Sequence, residues 1–286
     1  MAIDYQKLKA WPVPEIEQRY SHRDTILYAL GVGLGRDPTD GAELKFLYEK
    51  NLTALPTLAA VLGYPGFWLK DPGTGVDWVK VLHGEQGIRL HQPLPAEGHV
   101  VGKTRITEII DKGAGKGALI YSERNVFDHA SGALLCTLTQ SAFCRGDGGF
   151  GGPTGPIKQP HSVPDRVPDM SCDLPTSARA ALIYRLSGDY NPLHVDPAVA
   201  RAAGYERPIL HGLCTLGVAG HAILKTCCGY EADRLRALDV RFSAPVFPGE
   251  TVRTEIWREA NAIAFRSRVL ERNIVVINNG RAEITG

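Results

Sequence analysis

The chain lacks most of the features that would assign it to a broad functional class at once. Its 286 residues carry 32 Lys and Arg against 31 Asp and Glu, so no net field draws it onto nucleic acid or an anionic membrane. The six cysteines (Cys136, Cys144, Cys172, Cys214, Cys227 and Cys228) include no CxxC pair, and free cytoplasmic thiols are expected. No apolar run reaches the roughly 20 residues that a bilayer-spanning helix needs. The opening MAIDYQKLKA forms no secretory segment, and the closing AEITG is not a peroxisomal SKL-type ending. These readings point to a cytoplasmic protein, long enough for one large or two medium domains with cores of their own.

What the chain does have is repetition. RDTILYALGVGL (residues 23–34) matches RAALIYRLSGDY (179–190) at an offset of 156, with Tyr28 on Tyr184. IRLHQPLP (88–95) matches VRFSAPVF (240–247) at 152, and PTLAAV (56–61) matches CTLGVA (214–219) at 158. Three ordered matches at nearly one offset indicate a duplicated domain. The glycine- and proline-rich RGDGGFGGPTGPIKQP (145–160) can bury little and reads as a connector. The expected organisation is a first repeat over 1–145, a linker over 146–165 and a second repeat over 166–286. In each half a helix-length apolar segment precedes runs of period two, such as TVRTEIW, which makes each half α+β with antiparallel strands.

The stretch LSGDYNPLHVDP (186–197) gathers Asp189, Asn191 and His194. At the 156 offset these fall on Gly33, Gly35 and Pro38, so only the second half can move a proton here. A short helix is expected to end near Ser187–Gly188, where glycine permits a terminating backbone. Five extended residues would carry His194 about 17 Å from Asp189, so a bend at Asn191–Pro192 must fold the two together. Asp196 and Pro197 fit the N-cap and first residue of a following helix. Gly212 opens a long apolar helix; its N–H, at the positive helix end and with no side chain in front, could meet a substrate oxygen. Taken singly, capping explains Asp189 and Asn191, core burial explains His194, and packing explains Gly212.

Two other patterns fail on spacing. GVGLG would need glycine at position 36 to complete a dinucleotide loop, and that residue is Arg36. His83, His91 and His99 recur every eight residues, but strand and turn geometry would scatter them with no carboxylate or cysteine beside them, so no metal is expected.

YRLSGDYNPLHVDPAVA followed by PILHGLCTLG resembles the signature of the R-specific (type-2) enoyl-CoA hydratases, a MaoC-like dehydratase family. RDTILYALGVG, ALPTLAAVLG, LHGEQGIRLHQPLP, RGDGGFGG and VRFSAPVFPGET resemble the corresponding parts of its two-repeat members. The resemblance implies an α+β double hot-dog fold, two repeats each with an antiparallel sheet wrapped around a long central helix. It implies reversible hydration of trans-2-enoyl-CoA to (3R)-3-hydroxyacyl-CoA in fatty acid β-oxidation chemistry, with Asp189 and His194 catalytic, Asn191 beside them, and the Gly212 N–H as oxyanion hole. Which of Asp189 and His194 is base and which acid is left open. His83, Gly84, Lys112 and Phe242 would line the coenzyme A or thioester path. The substrate is then an acyl-CoA, no cofactor is required, and the assembly is a homodimer. Within the first repeat, Gly63, Pro65 and Gly66 break the segment matching the central helix, leaving room for an acyl chain. Competing readings are a hydratase of steroid side-chain enoyl-CoA, a non-catalytic acyl-CoA-binding hot-dog subunit, and a thioesterase on the same fold.

Overall fold

In the computed structural model, which describes residues 2–260 and 262–285, the alternating runs pair into one antiparallel sheet of ten strands. The first half supplies β1 (Ile16–Tyr20), β2 (Val81–Leu90), β3 (Gly98–Asp111), β4 (Ala118–Asp128) and β5 (Leu134–Cys144). The second supplies β6 (Met170–Pro175), β7 (Leu235–Phe242), β8 (Thr251–Arg258), β9 (Ile263–Val269) and β10 (Ile274–Ile284). Their order is β1-β3-β4-β5-β2-β7-β10-β9-β8-β6. Outward from the β2–β7 seam, each half therefore runs through its second, fifth, fourth, third and first strand. That is an approximate two-fold arrangement, and the register locates the axis: Gly87 faces Asp239, its own counterpart at the 152-residue offset. Two side chains do not fit there, because a Cβ on Gly87 would lie 2.5 Å from Asp239 Oδ1 and 2.4 Å from Thr139 Oγ1.

The helices are α1 (Tyr5–Lys9), α2 (His22–Gly31), α3 (Gly41–Leu44), α4 (Ala180–Tyr184), α5 (Pro197–Ala202) and α6 (Gly212–Cys228). The sheet curls around α6, whose residues 214–224 are all buried, as befits a helix apolar on every side. Gly217 and Gly220 let the first half press against it: added Cβ atoms would stand 2.4 Å from Val32 Cγ1 and 2.5 Å from Thr57 Cγ2. The repeat equivalents Tyr28 and Tyr184 meet across the α2–α4 contact with ring centroids 5.8 Å apart.

In one respect the repeats differ. The first-half counterpart of α6 is only a six-residue 3-10 stretch, Pro56–Val61, not a long central helix. Pro56 stands at its first position, where no helical N–H is needed, and the segment ends as Gly63 turns the chain at φ +58° against the Gly102 backbone. The inner faces of β3, β4 and β5 are consequently covered by a short turn and the loop after it.

A polar cluster fastens the halves together within the core. Tyr230 Oη donates to Glu43 Oε1 (2.8 Å), the Gly35 N–H donates to Oε2 (2.8 Å), and His221 Nε2 lies 3.1 Å from Tyr230 Oη. The six cysteines are all free. Among the described residues no helix is long and apolar enough to cross a membrane.

Candidate active site

Local chain chemistry builds the site. Helix α4 runs into a 3-10 turn, Arg185–Ser187, that stops at Gly188 with φ +115°, a conformation glycine adopts without strain. Asp189 follows, and its Oδ1 accepts the Asn191 N–H at 3.2 Å. Asn191 Oδ1 in turn accepts the Leu193 N–H at 3.1 Å, capping the 3-10 turn Pro192–His194. This nested pair of turns replaces the extended path and folds the imidazole back. Asp196 caps α5 by accepting the Ala198 N–H at 2.8 Å, as the sequence implies.

The result is a compact group: one carboxylate oxygen of Asp189 and one ring nitrogen each of His194 and His211 lie within 4.8 Å of one another. His194 is buried, and its Nδ1–H donates to the Ile209 carbonyl at 2.9 Å. That bond fixes the tautomer, leaving the Nε2 lone pair as the proton acceptor. Burial depresses the His194 pKa, keeping the imidazole neutral.

Sequence reasoning missed His211. Its ring stacks on His194 with centroids 3.8 Å apart, and its Nε2–H donates to the Asp189 backbone carbonyl at 3.1 Å. Burial, then the charge that His194 would carry, pushes its pKa down to about 4. Its position immediately before Gly212 was the available signal. Three buried polar atoms in or beside this group, Tyr184 Oη, His211 Nδ1 and Arg185 Nε, have no partner among the described residues. Buried polar atoms are normally satisfied, so their concentration here marks a place that bonds something other than protein.

Gly212 is the first residue of α6, and its N–H has no acceptor among the described residues. The nearest atoms to a Cβ there belong to the Phe242 ring, the first at 3.5 Å. Phe242 and His83 stand edge to face with centroids 4.9 Å apart, so Gly212, Phe242 and His83 form one wall. Burial lowers the His83 pKa to about 4, and the Asp189 carboxylate is close enough to act on it in the opposite sense.

The other two path residues stand apart from the catalytic pair. Gly84 occupies a bulge in β2, where a Cβ would come within 2.8 Å of Ser141 Oγ; strand geometry accounts for it. Lys112 is exposed just beyond β3, its ammonium 4.8 Å from the centre of the Phe143 ring. Phe143 pairs with Leu82, next to His83, and consecutive strand residues point to opposite faces of a sheet, so the ring under Lys112 stands on the face away from His83. Asn191 is exposed and orders the turn. His83 and His91 remain scattered, whereas His99 joins Glu17 and His129 in a surface group that the spacing did not reveal.

A carboxylate and a neutral imidazole facing one small volume can hold a water between two acceptors and carry its proton. A free helix-start N–H beside them can stabilise an oxygen on which negative charge develops.

Comparison with known proteins agrees with this chemistry. Residues 160–279 match the family model described as MaoC like domain, and residues 18–146 match the MFE-2 hydratase 2 N-terminal domain. The chain is 40% identical over 295 residues to peroxisomal enoyl-CoA hydratase 2 of Arabidopsis thaliana, spanning 98% of this chain and 94% of that protein. It is 42% identical to 3-hydroxyacyl-thioester dehydratase Y of Mycobacterium tuberculosis, with 99% of each covered. The match to mouse peroxisomal multifunctional enzyme type 2, at 38% identity, covers 95% of this chain but 37% of that larger protein. Among solved structures, the MaoC-like dehydratase of Phytophthora capsici superposes with a TM-score of 0.86 at 34% identity over 99% of both chains. A Mycobacterium tuberculosis protein with a double hotdog fold matches at a TM-score of 0.54 and 14% identity, covering 96% of this chain and 94% of that one. That last likeness bears on the fold alone.

Proposed function

This chain belongs to the MaoC-like dehydratase family in its two-domain, hydratase-2 form, and from that premise we propose that it adds water to trans-2-enoyl-CoA, giving (3R)-3-hydroxyacyl-CoA, and catalyses the reverse dehydration. The observation that carries the site assignment is the convergence of Asp189 with a His194 whose free nitrogen is fixed as Nε2.

Water donating to the Asp189 carboxylate and to His194 Nε2 presents a lone pair to C3 of the substrate. One of the two acceptors takes a proton as the C3–O bond forms. The C2=C3 electron pair moves towards the thioester carbonyl, the Gly212 N–H donates to the resulting enolate-like oxygen, and the proton is returned to C2. Losing such a donor typically raises a barrier by about 3 kcal/mol. Asn191 holds the turn on which both proton carriers stand. The proton chemistry calls on no cofactor. In this reading the second repeat is catalytic, the first contributes the acyl-binding wall through His83, and residues 146–165 link them. Six free thiols suit a compartment that keeps cysteine reduced, the cytoplasm in our reading, and the assembly is a homodimer, as the family resemblance implies.

The test is to offer trans-2-enoyl-CoAs of graded length, follow loss of the conjugated chromophore and determine the configuration at C3. A 3R product, with acceptance of chains beyond four carbons, is expected. A 3S product, release of free thiol, or binding without loss of the chromophore would each overturn the assignment.

Gly212→Ala gives a narrower prediction. The added methyl makes ordinary contact with Phe242, so Tm should hold, while it obstructs approach to the N–H. Turnover should fall about 10- to 100-fold, a partial loss of the donor's contribution. Near-native turnover would remove Gly212 from the mechanism.

A further inference from the structure

The two edges of the sheet are related by the approximate two-fold axis, and they are fastened differently. At the second half's edge, β6 places Asp173 directly across from Arg253 on β8, and the guanidinium donates two bonds of 2.7 Å to the carboxylate. At the repeat offsets of 156 and 152 residues, the equivalent positions are Glu17 on edge strand β1 and Val101 on β3. They too stand directly across from each other. The first half thus keeps the acid and has valine where the second has the cation. Glu17 meets two histidines instead: its Oε1 lies 2.6 Å from Nε2 of His99 on β3 and 3.9 Å from Nε2 of His129, just past the end of β4.

The two imidazoles are stacked with centroids 3.9 Å apart and planes 13° from parallel. The His129 N–H donates to the His99 carbonyl at 2.9 Å, which fixes their backbones side by side. An ion pair between Glu17 and His99 explains one ring only. At 3.9 Å the second Nε2 is beyond hydrogen-bond reach of the same oxygen, and yet one donor atom from each of the three side chains lies within 4.8 Å of the others. Four ligands held about 2.0–2.1 Å from Zn²⁺ stand about 3.3 Å from one another, between the two separations found at Oε1. The side chains of Glu17 and His129 are 62% and 45% exposed, so rotation about their own bonds closes the difference without moving the sheet. Two imidazole nitrogens and a carboxylate oxygen suit Zn²⁺ or a neighbouring transition ion, whereas Ca²⁺ and Mg²⁺ take oxygen ligands. Water on the solvent side supplies the fourth position. Val100, next to His99, packs in the core that holds α6, so His99 projects from the outer face of the sheet, away from the proton-transfer site.

We propose that Glu17, His99 and His129 bind a divalent transition cation, Zn²⁺ being the probe of choice, and that the ion pins edge strand β1 to β3 and to the β4–β5 turn, as the Arg253–Asp173 pair pins β6 to β8. The site is independent of the hydratase reading and takes no part in the reaction.

The experiment treats the full chain with a chelator and titrates it with Zn²⁺ by calorimetry, beside His129→Ala, Glu17→Gln and Asp189→Asn. The wild type and Asp189→Asn should bind one equivalent at this site with equal affinity, and Mg²⁺ should not bind there. His129→Ala should weaken binding at least about 10-fold, the least that removing even an outer partner of a ligand costs, and Glu17→Gln should weaken it too. Co²⁺ in place of Zn²⁺ should give the visible absorption of a four-coordinate ion in the wild type and lose it in His129→Ala. At roughly 100-fold excess over Kd, Zn²⁺ should raise the wild-type Tm by about 4 °C and leave that of His129→Ala in place. His129 is exposed, so the variant keeps its fold, and without metal it should match the wild type in any hydration of enoyl-CoA. No binding by the wild type, or equal affinity in the wild type and His129→Ala, would overturn the proposal. Binding lost in Asp189→Asn but kept in His129→Ala would place the ion on Asp189, His194 and His211, which also stand within 4.8 Å of one another, and would overturn it as well. Binding that leaves Tm unmoved would refute the pinning of β1.

Discussion

Asp189→Asn and His194→Ala should each lower the hydration rate about 10³- to 10⁴-fold, the upper range for removing a positioned proton carrier, while leaving a folded protein. Asparagine keeps an oxygen to accept the Asn191 N–H, so the turn that Asp189 organises persists, but it cannot take a proton. Alanine at 194 strips the Ile209 carbonyl of its donor and His211 of its stacked neighbour, a cost of about 1–2 kcal/mol that leaves the core intact. The double variant should be scarcely worse than either single one, because groups acting as a unit are not additive. The same arrangement predicts a pH profile. His194 must be neutral to accept a proton, and burial sets its pKa below 6.5, so kcat/KM should hold as pH falls through 6.5 and decline only below it. Near-native turnover in either single variant, with circular dichroism unchanged, would end the assignment.

The largest effect on stability is expected at Glu43. Its carboxylate ties Gly35 of the first half to Tyr230 of the second, with His221 Nε2 3.5 Å from Oε1. His221, then Tyr230 and the Gly35 N–H, hold its pKa down to about 2, against an ordinary 4.5 and despite burial. A depressed carboxylate stabilises the fold fully above its unfolded pKa and loses that contribution as pH falls through the folded one. The pH window is therefore about 4.5 down to 2, worth about 3 kcal/mol by linkage. Glu43→Ala at neutral pH should cost a similar amount, about 3 kcal/mol, because it leaves a buried N–H and hydroxyl unpaired. For a chain this long that is a fall in Tm of about 5 °C. Glu43→Gln should show a shallower acid dependence of Tm than the wild type between pH 5 and 2, since it has no proton to gain. Scanning calorimetry over that range decides the matter, and parallel wild-type and variant curves would show that Glu43 is not the linked group.

What could be read from the chain was mostly local. The bend from Gly188 to His194 is written in glycine, asparagine and proline, whose backbone preferences act over a few residues, and it formed as those preferences require. The duplication was legible because equivalent segments keep their apolar pattern, and Tyr28 and Tyr184 do meet. His211 was not legible. A histidine beside a helix start acquires meaning only from partners elsewhere in the chain, here Asp189 and His194. At Gly84, where a short match suggests a place on the thioester path, the structure adds a local need for glycine at the bulge against Ser141. The break at Gly63–Gly66 foretold the shortened segment.

The pairing of Gly87 with Asp239 at the seam also bears on which halves can recognise each other. A pair of second halves would set one Asp239 against another, and like charges directly opposed in adjacent strands repel. A pair of first halves would put two glycines there and weaken both strands. Only the unlike combination gives one side chain and one space to receive it, so the seam selects against self-association of either repeat and keeps a single proton-transfer centre for every two folds.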